Sequence, residues 1–129
     1  MARVPIIHIS NTLIATVHEE LIDRDALALQ DDLCKAIERT GAHGVLIDLS
    51  VVETLDSFLG RLLHDIARQA RLLGAETVVV GMQPPVAITL VELGLEMKGV
   101  RTALNVEKGM ALLRQRVSEM RLNGRTRGR

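Results

Sequence analysis

The chain has 129 residues, with 16 lysines and arginines balancing 16 aspartates and glutamates, one cysteine, one phenylalanine, no tryptophan and no tyrosine. Hydrophobic residues make up 47% of it and aromatic ones 1%, so it can build one core of ordinary size, almost wholly from Leu, Val, Ile, Ala and Met. That composition excludes base stacking on aromatic platforms, aromatic cages, an internal disulfide, a cysteine-based zinc site and an iron–sulfur cluster.

Val4 to Ile9 reads as a strand, with Pro5 marking an edge position or a strand start. Ser10-Asn11-Thr12 supplies turn chemistry and Leu13 to Val17 a second strand, which together predict an antiparallel hairpin. From Asp25 to Thr40 the apolar residues Ala26, Leu29, Leu33, Ala36 and Ile37 recur at helical spacing. That leaves Asp31, Asp32, Lys35, Glu38 and Arg39 for the wet side, and Gly41 stands where a helix end favours glycine. Gly44 to Leu49 is nearly all apolar, as a strand buried on both faces requires. Residues 50–56 connect it to a helix predicted from Ser57 to Leu73, whose stripe is Phe58, Leu59, Leu62, Leu63, Ile66 and Ala70. Gly74 closes that helix, and the β-branched run Glu76 to Gly81 reads as another strand. Pro84-Pro85 opens a helix to about Leu93, closed by Gly94. A short extended stretch from Val100 to Leu104 then precedes a last helix from about Val106 to Met120. The order β-β-α-β-α-β-α-β-α predicts an α/β fold, a mixed and mainly parallel sheet flanked by helices.

The neutral total hides an asymmetry. Residues 1–100 carry 8 basic and 14 acidic side chains, a net −6, whereas residues 101–129 carry 8 and 2, a net +6. We read residues 1–120 as a single domain and the arginine-bearing residues 121–129 as a flexible, solvated basic tail. No signal-peptide pattern opens the chain, and no apolar run approaches the roughly 18 residues a membrane span needs. The expectation is a cytoplasmic protein with neither membrane nor nucleic acid as partner.

Few residues offer chemistry. His8, His18, His43 and His64 fall on different elements with no i,i+4 pair, so no metal site is expected. Neither the Walker nor the dinucleotide glycine spacing is present, and no cofactor is expected. Cys34 neighbours Leu33 and Ile37 and reads as a small buried hydrophobe. Asp48 ends the central apolar strand, where a receiver domain would carry its phosphoacceptor, but the first strand is followed by Ser10, Asn11 and Thr12 with no carboxylate to hold magnesium.

The informative stretch is Glu53-Thr54-Leu55-Asp56-Ser57-Phe58-Leu59-Gly60-Arg61. Aspartate and serine at a helix start are ordinarily caps. The same position displays a serine hydroxyl at the positive end of a helix, where an added phosphate gains from the dipole and the free amides. It would also put nearly two negative charges beside Asp56 and Glu53, enough to repel an acidic partner.

With the element order and Asp56-Ser57 at the second helix in hand, the chain resembles the STAS domain of anti-sigma factor antagonists over about residues 3 to 118. Within that family, Val51 to Phe58 looks most like the small stressosome scaffold subunits of the RsbS type. The commoner antagonist pattern has Asp-Ser followed by Ser or Thr and then Gly-Leu. Here Phe58 and Leu59 stand in those places with Gly60 one position late, which favours the stressosome type. The resemblance implies a STAS fold and a non-enzymatic scaffold in a large hetero-oligomer with longer STAS-domain paralogues (RsbR-like). It also implies that the complex holds a serine/threonine switch kinase (RsbT-like), releases it on phosphorylation to free an alternative sigma factor or drive another output, and is reset by a partner phosphatase. By position Ser57 matches the phosphoacceptor and Asp56 the acidic neighbour that supports the loop. Thr54 is a second hydroxyl nearby that does not align with the motif serine.

Phe58, the sole aromatic residue, would anchor a partner if exposed, though its place on the stripe with Leu62 and Ile66 favours core packing. The acidic stretch from Glu19 to Asp32 faces solvent or a basic partner, and the Val4 to Ile9 strand, if at an edge, would support self-association. The alternative function is a small ligand- or nucleotide-binding α/β domain using the loops after the parallel strands.

Overall fold

The computed structural model describes residues 4–18, 23–94 and 100–127, with the side chains of 117 and 120–127 left aside. Its elements run β1 (Ile6–Ile9), β2 (Thr12–Thr16), α1 (Asp23–Thr40), β3 (Gly44–Asp48), α2 (Ser57–Leu72), β4 (Glu76–Val80), α3 (Pro84–Glu92), β5 (Val100–Ala103) and α4 (Val106–Arg127). This is the order expected from the sequence. The strands form one sheet in the order β1-β2-β3-β4-β5, with β1 antiparallel to β2 and the remaining pairs parallel.

The hairpin turns on Ser10 and Asn11, whose φ angles of 49° and 62° give the mirror-image turn that suits the twist of the flanking strands. The register pairs Ile9 with Thr12 and Ile7 with Ile14. A two-residue turn makes the pair flanking it a hydrogen-bonded one, and such pairs alternate. Ile7 and Ile9 therefore direct their backbone groups at β2, and Pro5 falls where the next inward N–H would be needed. That is why the strand starts at Ile6 and not at Val4.

Alternation sorts the sheet into two faces. Leu13, Ala15, Val45, Ile47 and Val79 join the larger core, with Ala26, Leu29, Leu33, Ala36 and Ile37 of α1, Leu62, Leu63, Ile66 and Ala70 of α2, and Val86 and Leu90 of α3. Leu46, Val78 and Val80 point the other way and meet Leu113 of α4 in a smaller cluster. Gly109 lets α4 approach this face: a Cβ there would lie 2.6 Å from Val80 Cγ1. The five α1 residues picked out by periodicity are the ones buried on that helix. Cys34 departs from expectation, because it is only half-buried and its thiol donates to Gln69 Oε1 of α2 at 3.2 Å. The last helix runs on to Arg127, past the end expected at Met120. No proline interrupts it, Arg121, Leu122, Arg125 and Arg127 are good helix formers, and Gly124 costs only about 1 kcal/mol. Residues 19–22 of the acidic stretch lie outside the described residues, and no described helix is long and apolar enough to cross a membrane.

Candidate functional site

Strands β2, β3 and β4 are parallel, so the loops after them gather at one end of the sheet. The connection from β3 to α2 occupies this end, and three buried anchors hold it: Leu49, Val52 and Leu55, at 0%, 0% and 5% exposure. Between the anchors Ser50, Val51, Glu53, Thr54, Asp56 and Ser57 remain exposed. The backbone is tied down as well. Leu49 N–H donates to Val80 O at 2.9 Å, Val52 N–H to Leu49 O at 3.0 Å, and Gln83 Nε2 to Ser50 O at 2.8 Å. Asp48 Oδ1 accepts from Ser50 N–H at 2.9 Å, so the carboxylate weighed as a receiver-type phosphoacceptor braces the loop instead. Gly81 completes the brace, since at φ 72° a Cβ would stand 2.8 Å from Ser50 Cβ.

The loop delivers Asp56 as the N-cap of α2, in extended conformation (φ −91°, ψ 173°) with its Oδ1 accepting from Leu59 N–H at 2.8 Å. Its carbonyl accepts from Gly60 N–H at 3.0 Å. Ser57 is thus the first residue of the helix and solvent-exposed, with its hydroxyl at the positive pole of an α-helix of 16 residues. No acidic residue stands in the first turn, so the Asp56 cap is the nearest carboxylate in sequence to offset that pole.

Beside it lies a hollow of about 140 Å³ whose walls include His18, Asp23, Thr54, Asp56 and Phe58. Phe58 is half-buried and packs against the larger core, the packing role favoured from the sequence. Thr54 and Glu53 are exposed and each makes an interaction of its own. The structure therefore places Asp56, Ser57, Phe58 and Thr54 at one surface. It also adds residues that the sequence reading missed: Ser50 and Gln83, bonded across 33 positions, and His18 and Asp23 on the neighbouring loop and helix. Gln83 carried a faint signal, directly before Pro84-Pro85 at a helix start, but nothing in the sequence names its partner. The histidines stay dispersed, and no three His, Cys, Asp or Glu side chains come together among the described residues.

Comparison with known proteins identifies the family. The family described as STAS domain matches residues 3–124. A serine-to-glutamate variant of Moorella thermoacetica RsbS superposes with a TM-score of 0.81 at 36% identity, covering 90% of this chain and 98% of that one. A chain of the stressosome, described as a signal integration and transduction hub, gives 0.78 at 37% identity, covering 88% and 98%. The RsbT co-antagonist protein RsbRA of Bacillus subtilis is 26% identical over 98 residues, which is 76% of this chain and 34% of that protein. The chain thus spans about a third of that curated relative's length.

Proposed function

The chain belongs to the STAS-domain family of anti-sigma factor antagonists, and on that premise we propose that it is a non-enzymatic scaffold subunit of a stressosome, switched by phosphorylation of Ser57. In this reading it co-assembles with longer RsbR-like paralogues in the cytoplasm and holds an RsbT-like serine/threonine switch kinase. Phosphorylation of Ser57 releases the kinase toward an alternative sigma factor or a similar output, and a partner phosphatase restores the binding state. The observation that carries the proposal is the exposed Ser57 at the first position of α2, on a loop whose backbone is already immobilised by its anchors. The similarity to RsbS and to a stressosome chain supports the setting. That to a protein named as a co-antagonist of RsbT supports the kinase.

The charge argument supplies the mechanism. A phosphate on Ser57 is accommodated by the helix pole, so the fold tolerates it. It adds nearly two negative charges to a surface that already exposes Glu53 and Asp56, so an acidic partner is driven off without any rearrangement of the domain. Asp56 fixes the loop and presents the hydroxyl, while Thr54 and Phe58 line the ground on which a partner rests.

Incubation with the kinase and Mg-ATP followed by intact mass tests this. One phosphate is expected on the native chain and none on Ser57→Ala; no phosphate, or equal phosphate on both, overturns the proposal. Ser57→Asp should bind the kinase about tenfold more weakly or worse, the scale on which like charges act at an interface. Unchanged affinity would remove the charge mechanism. A saturable thermal shift with a nucleotide or metabolite, in a chain that takes no phosphate, would point instead to a ligand-binding α/β domain.

A further inference from the structure

At the end of the sheet away from the Ser57 loop, where β2, β3 and β4 begin, lies a hollow of about 270 Å³. Sites for drug-sized ligands span roughly 300–1,000 Å³, so an occupant here is small. Three separate parts of the chain wall it: Ser10 and Thr12 of the hairpin, His43 and Gly44 at the start of β3, and Arg114 and Ser118 of α4. The hairpin and β3 are held together by Asn11 O, which accepts from His43 N–H at 2.9 Å and from Gly44 N–H at 3.2 Å. The walls offer hydroxyls, an imidazole and a guanidinium, and no carboxylate stands among the lining residues. Thr12 is 4% exposed, yet its hydroxyl donates to Ser10 O at 3.5 Å, beyond the roughly 2.5–3.0 Å of a good O–H···O bond. A buried hydroxyl so poorly matched is one that a bound oxygen would satisfy. Gly44 keeps the floor clear, since a Cβ there would lie 3.0 Å from Leu113 Cδ1 and 3.3 Å from Thr12 Oγ1.

Charge selects the ligand. Arg116 of α4 is engaged by Glu76 at 3.7 Å and by Glu119 at 3.4 Å, whereas Arg114 makes no ion pair among the described residues. The negative pole of α4 does not oppose an anion here, because the helix runs on from Ser118 to Arg127, about 14 Å at 1.5 Å per residue. Helices α1 and α2 end near this level, but they pack on the other face of the sheet. We propose that the hollow binds a phosphoryl group, as free phosphate or as the head of a small phosphate monoester. Arg114 supplies the charge and a fork of N–H donors that phosphate oxygens take in pairs. The Thr12 and Ser118 hydroxyls donate to the remaining oxygens. A cation finds no carboxylate to hold it and meets the Arg114 charge.

Amide ¹H–¹⁵N spectra of the full chain, titrated at fixed ionic strength with inorganic phosphate and with glycerol 3-phosphate, test the site. Saturable shifts are expected at Thr12, His43 and Gly44, with a Kd of about 1 mM or tighter for one of the two probes. Tighter binding of the ester marks a phosphorylated metabolite as the ligand, and equal binding marks free phosphate. Arg114→Gln, at an exposed position that the fold does not need, should weaken binding at least about tenfold. Thr12→Val should also weaken it severalfold while leaving the urea midpoint unchanged or higher, because the hydroxyl it removes is poorly bonded in the fold. No saturable shift by about 10 mM of either probe overturns the proposal. So do shifts indifferent to Arg114→Gln, which would put the anion on the basic residues after Met120. The hollow and Ser57 lie at opposite ends of the sheet, so neither result bears on the phosphorylation proposal.

Discussion

On one face of the sheet three helices meet the strands, and their side chains form a single cluster that reaches from Val4 through Leu33 and Ile47 to Leu90. On the other, α4 alone covers Leu46, Val78 and Val80, and Ile14, Ile7 and Ile9 are left progressively open toward the β1 edge. The first face carries the Ser57 loop, because Leu49, Val52 and Leu55 are members of its cluster. In the proposed switch, a phosphate there would meet backbone already held by these anchors and would act by charge. The second face ends in uncovered apolar surface and a strand with a partner on one side only among the described residues. The proposed switch thus lies on the face that three helices cover, and the open apolar edge lies on the other.

The largest expected difference between the faces lies in core truncation. Leu33, 1% exposed between α1 and the sheet, should cost about 3–4 kcal/mol on replacement by alanine, transfer and cavity terms together. Ile14→Ala, on a half-buried side chain at the rim of α4, should cost about 1 kcal/mol, because much of that side chain is still wet in the fold. Urea denaturation of the two variants measures both. Equal losses would mean that α4 and the edge protect their face as well as three helices protect theirs.

Next comes the close approach that lets a single helix suffice. Gly109→Ala should gain about 1 kcal/mol of helix propensity. The new Cβ, however, would lie 2.6 Å from Val80 Cγ1 and 2.9 Å from Leu46 Cδ1, an overpacking that costs about 1–3 kcal/mol. A net loss of about 1 kcal/mol is therefore expected, smaller in a Val80→Ala background, where the nearest methyl is gone. A net gain would show that α4 has slack against the sheet. Asp56→Ala, on the other face, should cost about 1 kcal/mol by uncapping α2. Asp56→Asn should keep most of the stability, and comparing the two for phosphate uptake separates the cap from the charge.

Periodicity found the buried residues of α1 without error because a stripe at three- and four-residue spacing is a local property. The alternation of Val45, Leu46 and Ile47 between two clusters was likewise implied by a continuous apolar strand. Ser57 was legible for a similar reason: cap and helix start are adjacent in sequence. Gln83 reaching Ser50, and Asp48 turned inward to hold the loop, depend on the register of β3 against β4 and on where α3 begins. No local pattern encodes such long-range pairings. The run of α4 to Arg127 was missed for the opposite reason, since glycine and arginine read as a tail when a helix tolerates both.

Cys34 offers the smallest effect and the finest probe of the three-helix face. It sits in the seam between α1 and α2, its thiol directed to Gln69, and burial, followed by the nearby Asp31 carboxylate, pushes its pKa above the ordinary thiol value. Both causes disfavour the thiolate, which is the reactive species. Alkylation by iodoacetamide should therefore run slower in the native chain than in urea at each pH from about 7.5 to 9. Asp31→Asn should recover only part of the difference, because desolvation is the larger cause. The sign for stability follows. Below the unfolded thiol's pKa both states keep the proton and the term is constant; above it the unfolded chain ionises first, so stability falls as pH rises until the folded thiol ionises too. Cys34→Ala should flatten that decline. A native thiol as reactive as the unfolded one would mean that the α1–α2 seam stands open most of the time. The loop carrying Ser57 would then rest on a layer less rigid than its buried anchors indicate.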